Sequence, residues 1–314
     1  MAAPMTDSVP APAPSLAPPI DPHRLVADLV TLLRLEQIDA DRFIGQSEDI
    51  GTPRVFGGQV LGQSLMAACR TVGTDRPVHS LHAYFLLPGD KNESIEYIVD
   101  RVRDGRSFTT RRVVAQQKGR TIFTMMASFQ TIEPGAFSHQ LTMPDAPAPE
   151  TLVSDAELRR ALGNRAPAGM NDKFLLERPI EFRTVDPPDL LTPEPRPAEA
   201  LIWMRALTAL PDDPALHCAL LAYASDHGLL RAALLPHGLS FMQGRLRPAS
   251  LDHAMWFHRD FRLDDWLLYA IDSPSGGGAR GLCRGEIFSR DGRLVASVAQ
   301  EGMLRVVDIG TPVA

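Results

Sequence analysis

Three stretches of the chain carry apolar residues at helical spacing. Residues 24–45 place leucine and valine on one side, as in an amphipathic helix. Residues 59–72 and 216–235 are apolar almost all round and rich in Gly, Ala and Ser. Because a helix without a polar face has to be enclosed, these two stretches predict buried helices.

Runs of strand-like character follow each of the two apolar stretches. After the first they lie at residues 78–87, 95–103, 109–116 and 121–130, and after the second at 249–257, 266–273, 281–289 and 294–305. Asp104-Gly105, Lys118-Gly119 and Asp291-Gly292 supply turn residues between runs, and residues 276–278 predict a hairpin loop. The pattern predicts two sets of antiparallel strands.

The two halves of the chain are related to each other. A shift of 172 residues carries Tyr84-Phe85 onto Trp256-Phe257, and a shift of 173 carries Gly119-Arg120 onto Gly292-Arg293. One gap separates the two registers, so the pattern indicates a tandem duplication. Each copy is one long helix followed by antiparallel strands, and the predicted fold class is α+β, with a sheet wrapped around one helix, twice.

Proline marks the predicted boundaries between these units. Seven prolines fall in residues 1–22 and eleven between 131 and 200, where regular structure is disfavoured. We therefore expect a disordered Pro/Ala tail over residues 1–23 and a Pro-rich linker over 132–177. The repeats would occupy 24–131 and 178–308. Near the linker, 155–162 is helix-like and 180–185 alternates like a strand.

Composition narrows the possible partners. The net charge of −6 argues against nucleic acid as the main partner, because phosphate binding favours a strongly basic domain. Three cysteines without a CxxC spacing predict neither a disulfide framework nor a zinc site, and the histidines show no metal-binding spacing. No apolar run approaches the length of a membrane span, and no secretory signal begins the chain, so we expect a cytoplasmic protein.

Six motifs in fixed order resemble the double-hotdog acyl-CoA thioesterase II family, the TesB-like enzymes, over about residues 25–308. They are FIGQSED (43–49), VFGGQV (55–60), HSLHAYF (79–85), RDGRSF (103–108), LDHAMWFH (251–258) and ASVAQEG (296–302). The resemblance implies hydrolysis of fatty acyl-CoA to free fatty acid and CoA, with no metal or organic cofactor. It also implies that an Asp, a Thr or Ser and a Gln hold the attacking water.

Matched with the family pattern, the Asp is Asp226, in ASDH (224–227), and the hydroxyl is Ser250, two residues before Asp252-His253. The Gln is Gln300, in AQEG (299–302). The chemistry suits them, since a carboxylate can accept the proton of a water that a hydroxyl and an amide orient. From the pattern alone Asp226 could instead be a helix N-cap, Ser250 a loop hydroxyl and Gln300 an exposed strand residue. His253 would more often be structural.

Two further groups of candidates concern the substrate. The amides near Gly58 or Gly228, at the start of an apolar helix, could hold the thioester oxygen. An arginine-rich run could bind the phosphates of CoA or simply form a solvated hairpin. Its candidate CoA-binding residues are Arg103, Arg106 and Arg111.

Other functions remain open at this point. A hotdog enoyl-CoA hydratase would need a closely spaced Asp/His pair on a loop-to-helix segment, and the adjacent pair Asp226-His227 does not by itself indicate a geometry that serves one substrate. A degenerate hotdog could bind acyl-CoA without catalysis. Open sheet edges, together with the habit of the family, predict a homo-oligomer, a dimer or tetramer. A serine hydrolase is disfavoured, because no GxSxG motif occurs.

Overall fold

The computed structural model describes residues 21–162, 165 and 178–307. The helices are α1 (Pro22–Leu33), α2 (Gly57–Cys69), α3 (Asp155–Leu162) and α4 (Pro214–Ser225), with 3-10 turns at Pro149–Thr151, Leu229–His237 and Phe241–Gln243. The strands of the first half are β1 (Glu36–Gln37), β2 (Arg42–Gly45), β3 (Val78–Phe85), β4 (Ile95–Asp104), β5 (Phe108–Gln117) and β6 (Arg120–Gln130). Those of the second half are β7 (Ile180–Thr184), β8 (Glu199–Ala206), β9 (Leu246–Ser250), β10 (Asp252–Phe257), β11 (Leu267–Gly277), β12 (Arg280–Ser289) and β13 (Leu294–Val306).

All described strands join one 13-stranded antiparallel sheet, which shows the duplication directly. The strand order is β1-β2-β4-β5-β6-β3-β10-β13-β12-β11-β8-β7, so the second half mirrors the first across the β3–β10 seam. At the seam Ala254 pairs with His82, and Leu81 with Met255. This register is symmetric under the shift of 172 residues, and the predicted α+β class is confirmed.

The two apolar helices lie against each other inside the curved sheet. α2 and α4 run antiparallel, and glycines on α2 bring their backbones together. A Cβ built on Gly62 would lie 2.9 Å from the carbonyl oxygen of Ala219, and one on Gly58 would overlap that of Tyr223. The buried residues around these helices form one apolar core that spans both halves. The start of α2 therefore lies beside the end of α4, and the candidate site is located there.

Two helix predictions run too far. The prediction over residues 24–45 is wrong after Leu33, because the chain turns and forms β1 and β2. The prediction over 216–235 is wrong after Ser225. There Gly228 adopts a left-handed φ of 78°, which ends the regular helix, and a 3-10 segment follows.

The strand predictions hold with small changes of boundary. The run 249–257 is split at Leu251 into β9 and β10. The turns at Lys118-Gly119 and Asp291-Gly292 connect neighbouring strands as predicted. The hairpin loop predicted over 276–278 is shifted, because β11 continues to Gly277 and the turn lies at residues 278–279. β8 was not predicted, because apolar residues occupy both of its faces. Its outward Trp203 donates to the carbonyl oxygen of Pro147, so a described part of the predicted linker packs on the outside of the sheet.

The tail and linker boundaries fall partly outside the described residues. Residues 1–20, 163–164 and 166–177 are not described, and the predicted tail and much of the linker lie there. Within the described part, helix α1 begins at Pro22 with Asp21 as its N-cap, so the last residues assigned to the tail belong to a helix. The predicted helix over 155–162 is confirmed as α3.

Candidate active site

Asp226 lies at the C-terminal end of α4, where it is the C-cap residue. The N-cap of α4 is Asp213, and the N-cap of the 3-10 segment that follows Asp226 is Gly228, so the interpretation of Asp226 as an N-cap is wrong. A carboxylate at this end of a helix gains nothing from the helix dipole, whose negative pole is there. Its position therefore needs other stabilising contacts, which two polar side chains and a second helix provide.

Gln300 joins Asp226 to Ser250. The Gln300 side chain, in β13, donates from Nε2 to Asp226 Oδ1 at 2.9 Å and to Ser250 Oγ at 2.7 Å. Ser250, the last residue of β9, donates to the same Asp226 Oδ1 at 3.3 Å. Gln300 is 1% exposed, so the interpretation of Gln300 as an exposed strand residue is wrong. The structure brings together three residues that are up to 74 positions apart.

The N-terminal end of α2 faces the second carboxylate oxygen of Asp226. A Cβ built on Gly57 would lie 2.7 Å from Asp226 Oδ2 and 3.0 Å from the ring of Phe85. The N-cap of α2 is Phe56, whose side chain makes no capping hydrogen bond. The first amides of a helix point along its axis and carry partial positive charge. The site therefore combines residues of both halves of the chain.

A pseudo-twofold axis, here called the dyad, passes through the β3–β10 seam and relates the two halves. On its other side, the end of α2 and the start of α4 are built differently. At the same distance from its N-cap as Asp226, α2 has Cys69, and burial raises the pKa of this thiol to about 12, with Asp213 adding to the effect. The facing end of α4 begins with Pro214, which has no N–H. Asp213 Oδ1 accepts from the amides of Ala215 and Leu216 at 3.0 and 3.3 Å. This pair of helix ends has no acid at the Asp226 position, and its leading amides are already bonded.

Two more residues lie beside the trio: His253, for which the sequence favours a structural role, and Ser225, which the sequence does not single out. The imidazole of His253, in β10, is completely buried, and its Nδ1 lies 2.8 Å from Gln300 Oε1. Its Nε2 lies 3.0 Å from the hydroxyl of Ser225, the last residue of α4. Burial lowers the pKa of His253 against the opposing effects of Asp226 and the Gln300 hydrogen bond. The Asp252-His253 pair within the LDHAMWFH motif was the available signal.

The two oxyanion candidates have different surroundings. Gly58 is the second residue of α2 and follows Gly57, whose Cβ position meets Asp226. Gly228 instead occupies the left-handed turn after α4, and the groups nearest to its missing Cβ are Arg231 and Ile202. Of the two, Gly58 stands at a helix start that faces the carboxylate.

The prediction that Arg111 contacts CoA is wrong. Its guanidinium is 2% exposed and donates to Thr71 Oγ1 at 2.9 Å and to Asp104 Oδ1 at 2.6 Å. These bonds tie the segment after α2 to the β4–β5 turn. A side chain so enclosed cannot reach the phosphates of a ligand.

Arg103 and Arg106 are exposed, but they lie at the other end of the sheet from Asp226. They flank the β4–β5 turn, and the nearby Phe108 pairs with Gln130, beside the start of β3. Phe85, which contacts the site, ends β3 seven residues after Val78, a distance of roughly 23 Å. The structure does not bring these two arginines together with the trio.

Across residues 21–162, 165 and 178–307, no group of three or more His, Cys, Asp or Glu side chains is placed to hold a metal ion. Within the same residues no helix is long and apolar enough to cross a membrane.

Comparisons with known proteins identify the family of the chain. The family model described as acyl-CoA thioesterase matches residues 170–303, and that described as acyl-CoA thioesterase N-terminal domain matches 45–130. The chain is 42% identical over 281 residues to acyl-CoA thioesterase 2 of Haemophilus influenzae, covering 90% of this chain and 98% of the relative. This chain belongs to the acyl-CoA thioesterase family.

Solved structures support the same assignment. The acyl-CoA thioesterase II TesB2 of Mycobacterium marinum is 44% identical, with a TM-score of 0.73 over 89% of this thioesterase and 99% of that chain. A protein with a hot dog fold from Alicyclobacillus acidocaldarius, 18% identical, has a TM-score of 0.70 over 90% of this chain and 99% of its own. The thioesterase is therefore a double hotdog and a thioester hydrolase, as the sequence motifs predicted.

Asp226 and His227, the adjacent pair considered for a hydratase, have different neighbours in this thioesterase. The ring of His227 stacks on Phe182 of β7, with centroids 4.3 Å apart and planes at 24°. Burial and the nearby Arg159, Arg231 and Arg178 hold its pKa well below the ordinary value. Asp226 bonds instead to Gln300 and Ser250. The pair therefore does not present a joint acid and base to one substrate.

Proposed function

We propose that this thioesterase hydrolyses fatty acyl-CoA to free fatty acid and CoA by direct attack of a water held by Asp226, Ser250 and Gln300. The observation that carries the proposal is the Gln300 amide, which donates to Asp226 and to Ser250 beside the start of α2. Asp226 accepts a proton from the water while the oxygen of the water bonds to the thioester carbon. The C–S bond then breaks, and the proton passes to the CoA sulfur.

The three polar residues have distinct tasks in this reaction. Gln300 donates one amide hydrogen to Asp226 and the other to Ser250, so it fixes the position of the carboxylate relative to the hydroxyl. Ser250 donates to Asp226 Oδ1 and retains acceptor capacity that can orient the water. Asp226 Oδ2 faces Gly57 and is the oxygen suited to take the proton.

Negative charge on the carbonyl oxygen would be stabilised by the start of α2. The first amides of this helix receive no side-chain cap, and the helix dipole favours an anion at this end. Donors that are already aimed at a developing oxyanion contribute about 10²- to 10³-fold to kcat in acyl transfer. We therefore propose the amides of Gly57 and Gly58 as the oxyanion hole, and place the site at the junction of the two repeats.

Release of free thiol from acyl-CoAs of short to long chain tests this function. We expect CoA and the free fatty acid in equal amounts, and no change in rate after treatment with a chelator, because every proposed step uses groups of the chain itself. Formation of 3-hydroxyacyl-CoA from an enoyl-CoA without thiol release would support the hydratase. Saturable binding without any turnover would support a non-catalytic acyl-CoA-binding protein.

Assembly into a homo-oligomer is also proposed, and the outer face of the sheet supports it. An apolar area lies near the dyad: Tyr84 of β3 and Trp256 of β10, at the seam, are 59% and 37% exposed, and Met126 of the neighbouring strand β6 is 39% exposed. Light scattering coupled to gel filtration should give a multiple of 34.4 kDa. A Tyr84→Glu, Trp256→Glu variant should shift toward one chain, whereas a wild-type mass of one chain would contradict the proposal.

A further inference from the structure

His253 is a buried titratable residue that the proposed reaction leaves without a task. It is 0% exposed near the start of β10, and both of its ring nitrogens have polar partners. Its two partners are Ser225, next to Asp226 in sequence, and Gln300, which bonds to Asp226 and Ser250. The imidazole therefore connects the end of α4 to the amide of the candidate site.

The chemistry of the partners defines which nitrogen carries the hydrogen. Gln300 Oε1 can only accept, so Nδ1 of His253 carries the hydrogen of that bond. Burial lowers the pKa of His253, which favours the neutral ring, and Nε2 is then an acceptor for the Ser225 hydroxyl. If the Ser225 hydroxyl donated instead to the carbonyl oxygen of Ala222, at 3.0 Å, Nε2 would have to donate to Ser225 Oγ. The ring would then carry hydrogens on both nitrogens and would be a buried cation, which is costly.

The internal duplication shows that the sheet does not need a histidine here. Under the shift of 172 residues, the position that corresponds to His253 is Leu81 in β3. Leu81 is also 0% exposed, so the same place in the other half is filled by an apolar side chain. That half has Cys69 at the position of Asp226. The polar residue thus occurs on the side that holds the acid.

We propose that His253 is a positioning residue for hydrolysis. Its Nδ1–H holds Gln300 Oε1, which turns the amide hydrogens of Gln300 toward Asp226 and Ser250. This proposal rests on the proposed function of the trio. Without the imidazole, Oε1 would be a buried acceptor lacking its bond, and the amide would be free to rotate away from the carboxylate.

Substitutions that keep or remove the Nδ1 donor test this role. In His253→Asn the side-chain amide N–H takes the place of Nδ1–H, whereas His253→Leu copies the residue of the other half and has no donor. We expect His253→Leu to lower kcat by about 10- to 100-fold with little change in KM, because misplacement at a reacting centre has effects of this size. His253→Asn should recover most of the lost kcat.

A double-mutant cycle separates positioning through Gln300 from a structural role. In a Gln300→Ala background, His253→Leu should cause no further loss of kcat, because the amide that it positions is gone. Melting temperatures should show that each variant folds. If His253→Leu fails to fold, the comparison uses His253→Gln, whose longer side chain places its donor near Nε2 and should not restore kcat as Asn does.

Three results would overturn the proposal. The first is an equal loss of kcat in His253→Asn and His253→Leu. The second is a loss of kcat in His253→Leu that adds fully to the loss in Gln300→Ala. The third is an unchanged kcat in folded His253→Leu. Failure of the trio itself looks different, since Gln300→Ala and Asp226→Asn would then keep the kcat of the wild type.

Discussion

Replacing Asp226 by asparagine should lower kcat by about 10²- to 10⁴-fold, the usual contribution of general-base catalysis. Asparagine has nearly the same size, and its carbonyl oxygen can still accept from Gln300 and Ser250, so the fold should be retained. What the variant loses is the ability to take the proton of the water. Thiol release at saturating acyl-CoA measures the effect, and substrate affinity should change little.

Asp213→Asn is the matched control for this experiment. Asp213 lies at the dyad-related pair of helix ends, where it is the N-cap of α4, and asparagine caps about as well as aspartate. This variant removes one carboxylate of the same type from the dyad-related end and should keep the kcat of the wild type. A folded Asp226→Asn enzyme with kcat within a few-fold of wild type would show that another group is the base.

Gly58→Ala should be strongly destabilising, although alanine is usually the better residue inside a helix. The ordinary gain is about 0.5–1 kcal/mol in the free energy of unfolding. Here the new methyl group would overlap the backbone carbonyl oxygen of Tyr223, which cannot rotate away, so α2 and α4 must separate. Overpacking of this kind costs about 1–3 kcal/mol, and thermal unfolding should show a melting temperature lower by several degrees.

Two other glycine variants make this result specific. At Gly277 no atom lies within 4 Å of an added Cβ, so Gly277→Ala should leave the melting temperature nearly unchanged. At Gly57 the added Cβ meets the ends of the Asp226 and Phe85 side chains, which can move. Gly57→Ala should therefore lower kcat while it changes the melting temperature only slightly. An unaltered melting temperature in Gly58→Ala would contradict the close packing of the two helices.

Features encoded within a few residues were predicted well. The hairpin at Lys118-Gly119 and the helix at Asp155–Leu162 depend on local turn chemistry and local periodicity, and both are present. The helix predictions failed where local pattern competes with tertiary structure. Leucine spacing continued past Leu33, and apolar residues continued past Asp226, but a polar turn and a left-handed glycine redirect the chain.

Within the candidate site the same distinction holds. The sequence motifs named Asp226, Ser250 and Gln300, and the structure brings them into one hydrogen-bonded group. The motifs did not indicate that Arg111 is enclosed or that His253 bonds to Gln300. Whether an arginine is free or an imidazole has a partner depends on side chains distant in sequence, and one sequence carries no direct signal of that.

By itself, then, the sequence of this thioesterase determined the duplication, most of the strands, the hydrolase family and the identity of three polar residues. Only the tertiary structure decided that the start of α2 faces the end of α4, so that Gly57 of one repeat adjoins Asp226 of the other. The physical reason is that α2 and α4 approach backbone to backbone inside a shared sheet. Such an approach depends on packing across the whole core and on no pattern within either helix.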